Sequence, residues 1–171
     1  MSNADSIVFR HPTAEDGYAV HKLVAANPPL DPNSIYCNLL QCSHFAGTAI
    51  AAFEAQEMLG FVSGYRIPEK PEVLFVWQLV VDARARGKGL AKRLVRAQLE
   101  AEGSRGVTHL HTTITAENEA SWGVFKSLAR EMGADLHSQV HFQQDSHFGG
   151  QHKDEHLVVI GPFLAHDQIN P

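Results

Sequence analysis

The stretch Leu74–Glu102, LFVWQLVVDARARGKGLAKRLVRAQLEAE, decides the fold. Leu74–Val81 is a nearly unbroken apolar run with β-branched and aromatic residues, the pattern of a strand covered on both faces. Arg84-Ala-Arg86-Gly87-Lys88-Gly89 follows at once. From Leu90, apolar residues recur at helical spacing through Ala91, Leu94, Val95, Ala97, Leu99 and Ala101. A glycine turn that opens a helix aims backbone N–H groups outward, and the helix dipole adds partial positive charge there. Such a turn is a seat for phosphate, and glycine leaves room for close approach and for positive φ. The spacing matches neither the dinucleotide fingerprint nor the Walker loop, since no Gly-Lys-Ser/Thr is present.

The rest of the composition narrows the class. The chain has 171 residues, 44% hydrophobic and 19% charged, enough for one folded domain with a core. No apolar run approaches the ~20 residues of a membrane helix, and no signal pattern opens the chain. A soluble cytoplasmic protein is expected. Net charge is -5, which argues against general nucleic-acid binding. Six of the 14 Lys and Arg nevertheless fall at Arg84, Arg86, Lys88, Lys92, Arg93 and Arg96, with no acid from Ala83 to Leu99. A basic patch on an acidic protein suits a small polyanion, although a solvated helix face explains Lys92 and Arg96 equally well. Cys37 and Cys42 form neither a disulfide framework nor a zinc pattern, and buried free thiols are expected.

Outward from the central stretch, Ile7–Arg10 reads as a first strand and Thr13 as a helix cap, with Val20, Leu23 and Val24 facing in. A second helix from Ser34 to about Phe45 is expected to bury Ile35, Leu39 and Leu40. Thr48–Glu54 and Met58–Arg66 read as a hairpin, and Ile67–Glu72, with two prolines, as a loop. Val107–Thr115 is a further strand. A helix opens at Glu117–Ser121 and runs to about Met132, and Leu136–Phe142 and His156–Ile160 are the last strands. Gln143–Glu155 reads as a polar loop. Residues 1–6 are expected to be a disordered N-terminus or a remnant added by cloning, 7–163 a single domain and 164–171 a tail.

The order strand, Arg-x-x-Gly-x-Gly, helix resembles the acetyl-coenzyme A site of the GNAT N-acetyltransferases. The resemblance implies an α/β (α+β) fold: a mixed, mostly antiparallel seven-stranded sheet flanked by helices and splayed between its fourth and fifth strands. It implies acetyl-CoA as cosubstrate, held by Leu79, Val81, Arg84, Arg86, Gly87, Lys88, Gly89 and Leu90. Asn118 matches the family's second motif and would hold the pantetheine arm, and helix capping explains it too. Many members carry a Tyr general acid seven residues further on, where this chain has Phe125. Many also place a Glu base on the fourth strand, where the polar side chains here are Trp77 and Gln78.

Within that family the chain resembles the L-2,4-diaminobutyrate acetyltransferases of ectoine biosynthesis. The likeness lies in Leu30-Asp-Pro-Asn-Ser34 with Tyr36, Gly60-Phe-Val-Ser-Gly-Tyr-Arg66, Leu74-Phe-Val-Trp-Gln78, Thr112-Thr-Ile-Thr-Ala-Glu-Asn-Glu-Ala120 and Ile160-Gly-Pro-Phe163. It implies acetylation of the γ-amine of a small diamino acid, a homodimer, no nucleic-acid or membrane partner and no metal. It supports Asp31 and Glu155 as the acids that tell one amine from the other. A turn or cap role for Asp31 and a solvated charge for Glu155 are the plainer readings. Trp77 could wall the pocket or stack on an ammonium, although periodicity alone puts it in the core. Tyr36 could offer a hydroxyl, and His152 could orient Glu155 or relay a proton. Lys153 and Arg66 are candidate clamps for an α-carboxylate. His137, His141, His147, His152 and His156 cluster in sequence, and surface histidines are the expectation rather than a metal site. Two other readings stand beside this one: an acetyltransferase of another diamine, amino acid or polyamine, and a non-catalytic acetyl-CoA sensor.

Overall fold

In the computed structural model, which describes residues 6–166, the elements run β1 (Ile7–Arg10), α1 (Gly17–Ala25), α2 (Ile35–Cys42), β2 (Ile50–Glu54), β3 (Glu57–Ile67), β4 (Lys70–Val81), α3 (Leu90–Glu100), β5 (His109–Thr115), α4 (Glu119–Glu131), β6 (Leu136–Phe142) and β7 (Glu155–Ile160). Of the expected ends of the chain, 1–6 and 164–171, residues 1–5 and 167–171 lie outside the described residues. The strands form one seven-stranded mixed sheet in the order β1-β2-β3-β4-β5-β7-β6, flanked by helices. β1–β2, β2–β3 and β6–β7 pair antiparallel, β2 and β3 through a tight turn and β1 and β2 through the long segment that carries α1 and α2. β4 pairs with β5 in parallel, Val73–Phe75 against His109–His111. A parallel pair needs a crossover, and α3 is that crossover.

By contacts the chain divides into two compact units. The first holds the chain up to Tyr65 together with Val76–Arg105, and the second holds Arg66–Phe75 and the chain from Gly106 onward. The first unit packs α1 (Val20, Leu23, Val24) and Cys42 against Ala49, Ala51, Met58, Phe61 and Val80. Burial, with the nearby Asp16 charge adding to it, pushes the Cys42 thiol up to about 12, so it is inert at neutral pH. In the second unit Leu110, Ile114, Phe125, Leu128, Val158 and Ile160 are buried.

Four local expectations need correction. β4 is not covered on both faces: Val76, Gln78 and Val80 are buried, while Trp77 is exposed and Leu79 and Val81 are half-buried. The alternation is hidden in the sequence because every residue on the open face is itself apolar. α2 buries Asn38, Gln41 and Cys42, and Ile35 is exposed. Its polar residues can be buried because they bond to each other: Asn38 Nδ2 donates to Gln41 Oε1 at 3.0 Å, and Asn38 Oδ1 meets His21 Nδ1 at 3.1 Å. The loop expected at Ile67–Glu72 is instead a tight hairpin turn, with β4 starting at Lys70. Pro71 is tolerated near the strand start, where a missing N–H costs least. Cys37 is half-buried rather than buried.

Where the chain enters α1, Asp16 holds two partners. Arg10 donates to both its oxygens at 2.8 and 3.0 Å, and the Thr13 N–H donates to Oδ2 at 2.8 Å. The Arg10 bonds, outweighing partial burial, hold the Asp16 carboxyl below the usual carboxylate range. Its charged form is therefore stabilised in the folded state, and that stability is lost as pH falls from ~4 through the depressed value. Asp16→Asn is expected to cost about 1–2 kcal/mol at pH 7. In urea unfolding, the gap between variant and parent should close as pH is lowered through that window. A gap independent of pH would mean that charge is not what Asp16 contributes.

Candidate active site

The glycine turn leaves β4 and enters α3 within the first unit. Gly87 and Gly89 have φ of +75° and +73°, a conformation costly for any residue with a Cβ. A Cβ built on either would meet nothing within 4 Å, so the backbone there lies open. The first intrahelical bond runs from Arg93 N–H to Gly89 O at 3.1 Å. The N–H groups at the start of α3 precede that ladder and have no acceptor within the helix. Lys88 is exposed in the middle of the turn, and Leu90 is buried beneath it.

The two motif arginines are engaged by the protein itself. Arg84 donates to Asp82 and, at 2.8 Å, to Glu57, and Arg86 donates to Asn27 Oδ1. Arg84 thus braces the turn against the β2–β3 hairpin, and the Asp82 carboxyl is held low chiefly by its hydrogen bond from Arg84. The open groups at the turn are therefore the Gly87–Gly89 backbone and Lys88.

On the open face of β4, Trp77 is 37% exposed, which overturns the core reading that periodicity favours. Its ring is fixed edge-on by Phe45 and Tyr65, at centroid distances of 5.8 and 5.9 Å. Two well-placed aromatic neighbours hold one face pattern of the indole constant. Asp31 is exposed in the segment before α2, and Tyr36 is 70% exposed on the first turn of that helix. Ser34 caps α2, accepting from Cys37 N–H. Asn33 Nδ2 reaches Gln78 Oε1 at 3.2 Å.

In the second unit Asn118 caps α4, its Oδ1 accepting from Ser121 N–H at 3.2 Å. Phe125 is 2% exposed, one helical face further in. Trp122 Nε1 donates to Thr115 O, tying the helix start to the end of β5. Glu155 opens β7 opposite Thr115 and is half-buried. His152 Nε2 lies 3.8 Å from Glu155 Oε1, beyond hydrogen-bond reach. His152 Nδ1 lies 2.7 Å from Lys153 O. A carbonyl only accepts, so Nδ1 carries the proton. Nε2, the other ring nitrogen, faces the Glu155 carboxylate. The two candidate carboxylate clamps are both occupied: Lys153 pairs with Glu117 at 2.9 Å, and Arg66 donates to Pro71 O at 2.6 Å. Among the described residues, no group of three or more His, Cys, Asp or Glu is arranged to hold a metal ion. No helix there is long and apolar enough to cross a membrane.

Sequence reading passes over Asn33, Phe45 and Tyr65 as individual residues. Tyr65 lies within the stretch Gly60–Arg66 that carries the resemblance, which gives it no role of its own. Phe45 has no signal, because it follows the end of α2 where no periodicity applies.

A glycine turn with an open backbone at the start of the crossover helix, within a seven-stranded mixed sheet, defines an acyl-CoA-dependent transferase fold. The chain belongs to the acetyltransferase (GNAT) family, which it matches over residues 17–129. More particularly, it is 50% identical over 159 residues to the L-2,4-diaminobutyric acid acetyltransferase of Methylotuvimicrobium alcaliphilum, covering 93% of this chain and 92% of that one. It is 45% identical to the enzyme of the same name from Halomonas elongata, over 97% and 86%. Its structure superposes with a TM-score of 0.88 on the diaminobutyrate acetyltransferase EctA of Paenibacillus lautus, solved with L-2,4-diaminobutyric acid and coenzyme A. That pair is 35% identical, over 92% of this chain and 96% of the other.

Proposed function

We propose that this protein transfers acetyl from acetyl-CoA to the γ-amine of L-2,4-diaminobutyrate, yielding the precursor for ectoine, as a cytoplasmic homodimer. What carries the substrate class is the 50% identity, over nearly the whole chain, to an enzyme of that name. Residues 7–163 act in this reading as one catalytic domain.

The cosubstrate pyrophosphate lies on the N–H groups of Gly87–Leu90 with Lys88 beside it, and Asn118 serves the pantetheine arm from its cap. Backbone groups of Leu79 and Val81 on β4 face the thioester. Phe125 is too buried and too apolar to donate a proton, and acts through packing. Arg84 and Arg86 serve indirectly, by bracing the turn through Glu57, Asp82 and Asn27.

The acceptor arrives as an ammonium with a pKa of roughly 10.4, so the reactive form must be made in the site. Glu155 takes the proton from the γ-ammonium, directly or through water. His152 beside it orients the Glu155 carboxylate and can relay the proton. Asp31 and the Tyr36 hydroxyl hold the other end of the substrate, and the Trp77 face stabilises a cation. The neutral amine attacks the thioester carbonyl, and a C–N bond forms. Collapse breaks the C–S bond, the excess proton leaves the nitrogen, and the thiolate takes up a proton. With Phe125 in place of the Tyr, the proton lost from the nitrogen is passed to the thiolate through water. No acyl-enzyme forms.

A thiol-release assay over a panel of diamino acids tests this. Diaminobutyrate should exceed ornithine and lysine in kcat/KM by about 10-fold or more, since each added methylene displaces one charged end from rigidly placed acids. Comparable values for ornithine and diaminobutyrate would refute the assignment of the acceptor. Cofactor binding with no turnover of any amine would favour a sensor.

A further inference from the structure

The segment that carries Asp31 and Tyr36 is tied down at several points, all within the first unit. Leu30 packs against the core, and its N–H donates to Asn27 O at 3.2 Å. Ser34 Oγ accepts from Cys37 N–H at 3.1 Å. Between them, Asn33 Nδ2 donates to Gln78 Oε1 at 3.2 Å. Gln78 is itself held, since its backbone N–H donates at 3.1 Å to the hydroxyl of the fully buried Ser63. It is 7% exposed, so its side-chain amide cannot turn to water for a replacement partner.

The geometry points to Asn33 and Gln78 as a positioning latch. It fixes how far Asp31 and Tyr36 stand from Trp77, the residue next to Gln78 on β4, and so sets the length of diamine the enzyme accepts. This rests on the function proposed above. Neither residue need touch the substrate. A shift of about 1 Å in a substrate-holding group is enough to change rates strongly. Pro28, Pro29 and Pro32 stiffen the segment, so a single polar tie is able to set its placement as a unit. The bond from Asn33 also explains why β4 carries a buried Gln among valines.

The test is a double-mutant cycle with Asn33→Ala, Gln78→Met and the pair, read three ways. Kinetics would be run with diaminobutyrate and ornithine at saturating acetyl-CoA. Amide exchange of residues 31–37 would be followed in the free enzyme, and thermal midpoints would report folding. Each single variant should raise KM for the preferred diamine and lower its kcat/KM advantage over the other, both by about tenfold. KM for acetyl-CoA should hold, and exchange in 31–37 should quicken. The double variant should be no worse than the worse single one, because one bond is lost in each case. Asn33→Asp should restore selectivity, with the Gln78 amide turned to donate. Asn33→Ala changes an exposed segment and decides the matter alone if Gln78→Met does not fold. Unchanged KM and selectivity in Asn33→Ala, unchanged exchange, or effects that multiply in the double variant would each overturn the latch. A wild type that prefers another diamine would instead overturn the proposed substrate, and the latch would then be judged on that diamine.

Discussion

Glu155→Gln is expected to lower kcat/KM for diaminobutyrate by about 10²–10⁴-fold, the usual worth of a positioned general base. The substitution keeps size and hydrogen-bonding shape and removes only the ability to take a proton. The position of Glu155 suits proton removal. It opens β7 and is half-buried, and its Oε1 lies 3.8 Å from Nε2 of His152. The pH profile gives the sharper reading. In the variant the reactive amine must come from solution, where its neutral fraction rises about tenfold per pH unit up to ~10.4. The deficit should therefore shrink as pH rises. Thiol release measured from neutral to alkaline pH would show this. A variant within about threefold of the parent at neutral pH, or a deficit that does not change with pH, would remove Glu155 from the proton path.

Gly103→Ala is expected to destabilise the protein by about 3 kcal/mol or more, the upper end of overpacking costs. A Cβ at Gly103 would stand 2.2 Å from Gly47 O and 2.8 Å from Gly47 C. Those are backbone atoms, so no side-chain rotation relieves the clash. The same corner is pinned by Gln98 Nε2 donating to Thr48 O at 2.8 Å and by Ser104 Oγ donating to Gln98 O at 2.7 Å. Moving either turn apart would break those bonds around a fully buried Gln98. The corner anchors the C-terminal end of α3, whose other end forms the glycine turn. Chemical denaturation should show the loss. A midpoint close to the parent's would mean that the two turns separate at little cost.

The fold is legible in the sequence because its signals are local. The apolar run of β4, the glycine turn and the 3.6-residue period of α3 lie together in one stretch, and only one crossover hand joins β4 to a parallel β5. The glycines are read for the right reason, since both adopt left-handed φ. What is not legible depends on contacts distant in sequence. Periodicity gives α2 an apolar core face, but the face that is buried carries Asn38 and Gln41, bonded to each other and to His21. Ile35 and Tyr36 are thereby left exposed. Arg84 and Arg86 read as open cations because nothing near them in sequence announces Glu57 or Asn27 as partners. The partial exposure of Trp77 cannot be seen in a strand whose two faces are equally apolar. The candidate acids are legible only through resemblance: Asp31 and Glu155 have no shared local motif, and composition alone leaves them as a turn residue and a surface charge.

The most direct test of the central claim is to identify the product. Acetyl-CoA and diaminobutyrate would be incubated with the purified protein, and the acetylated nitrogen located by NMR. The expected result is acetyl on the γ-nitrogen alone, with one free thiol released for each amide formed. Acetyl on the α-nitrogen, or no acetylated product while the protein binds the cosubstrate, would contradict it.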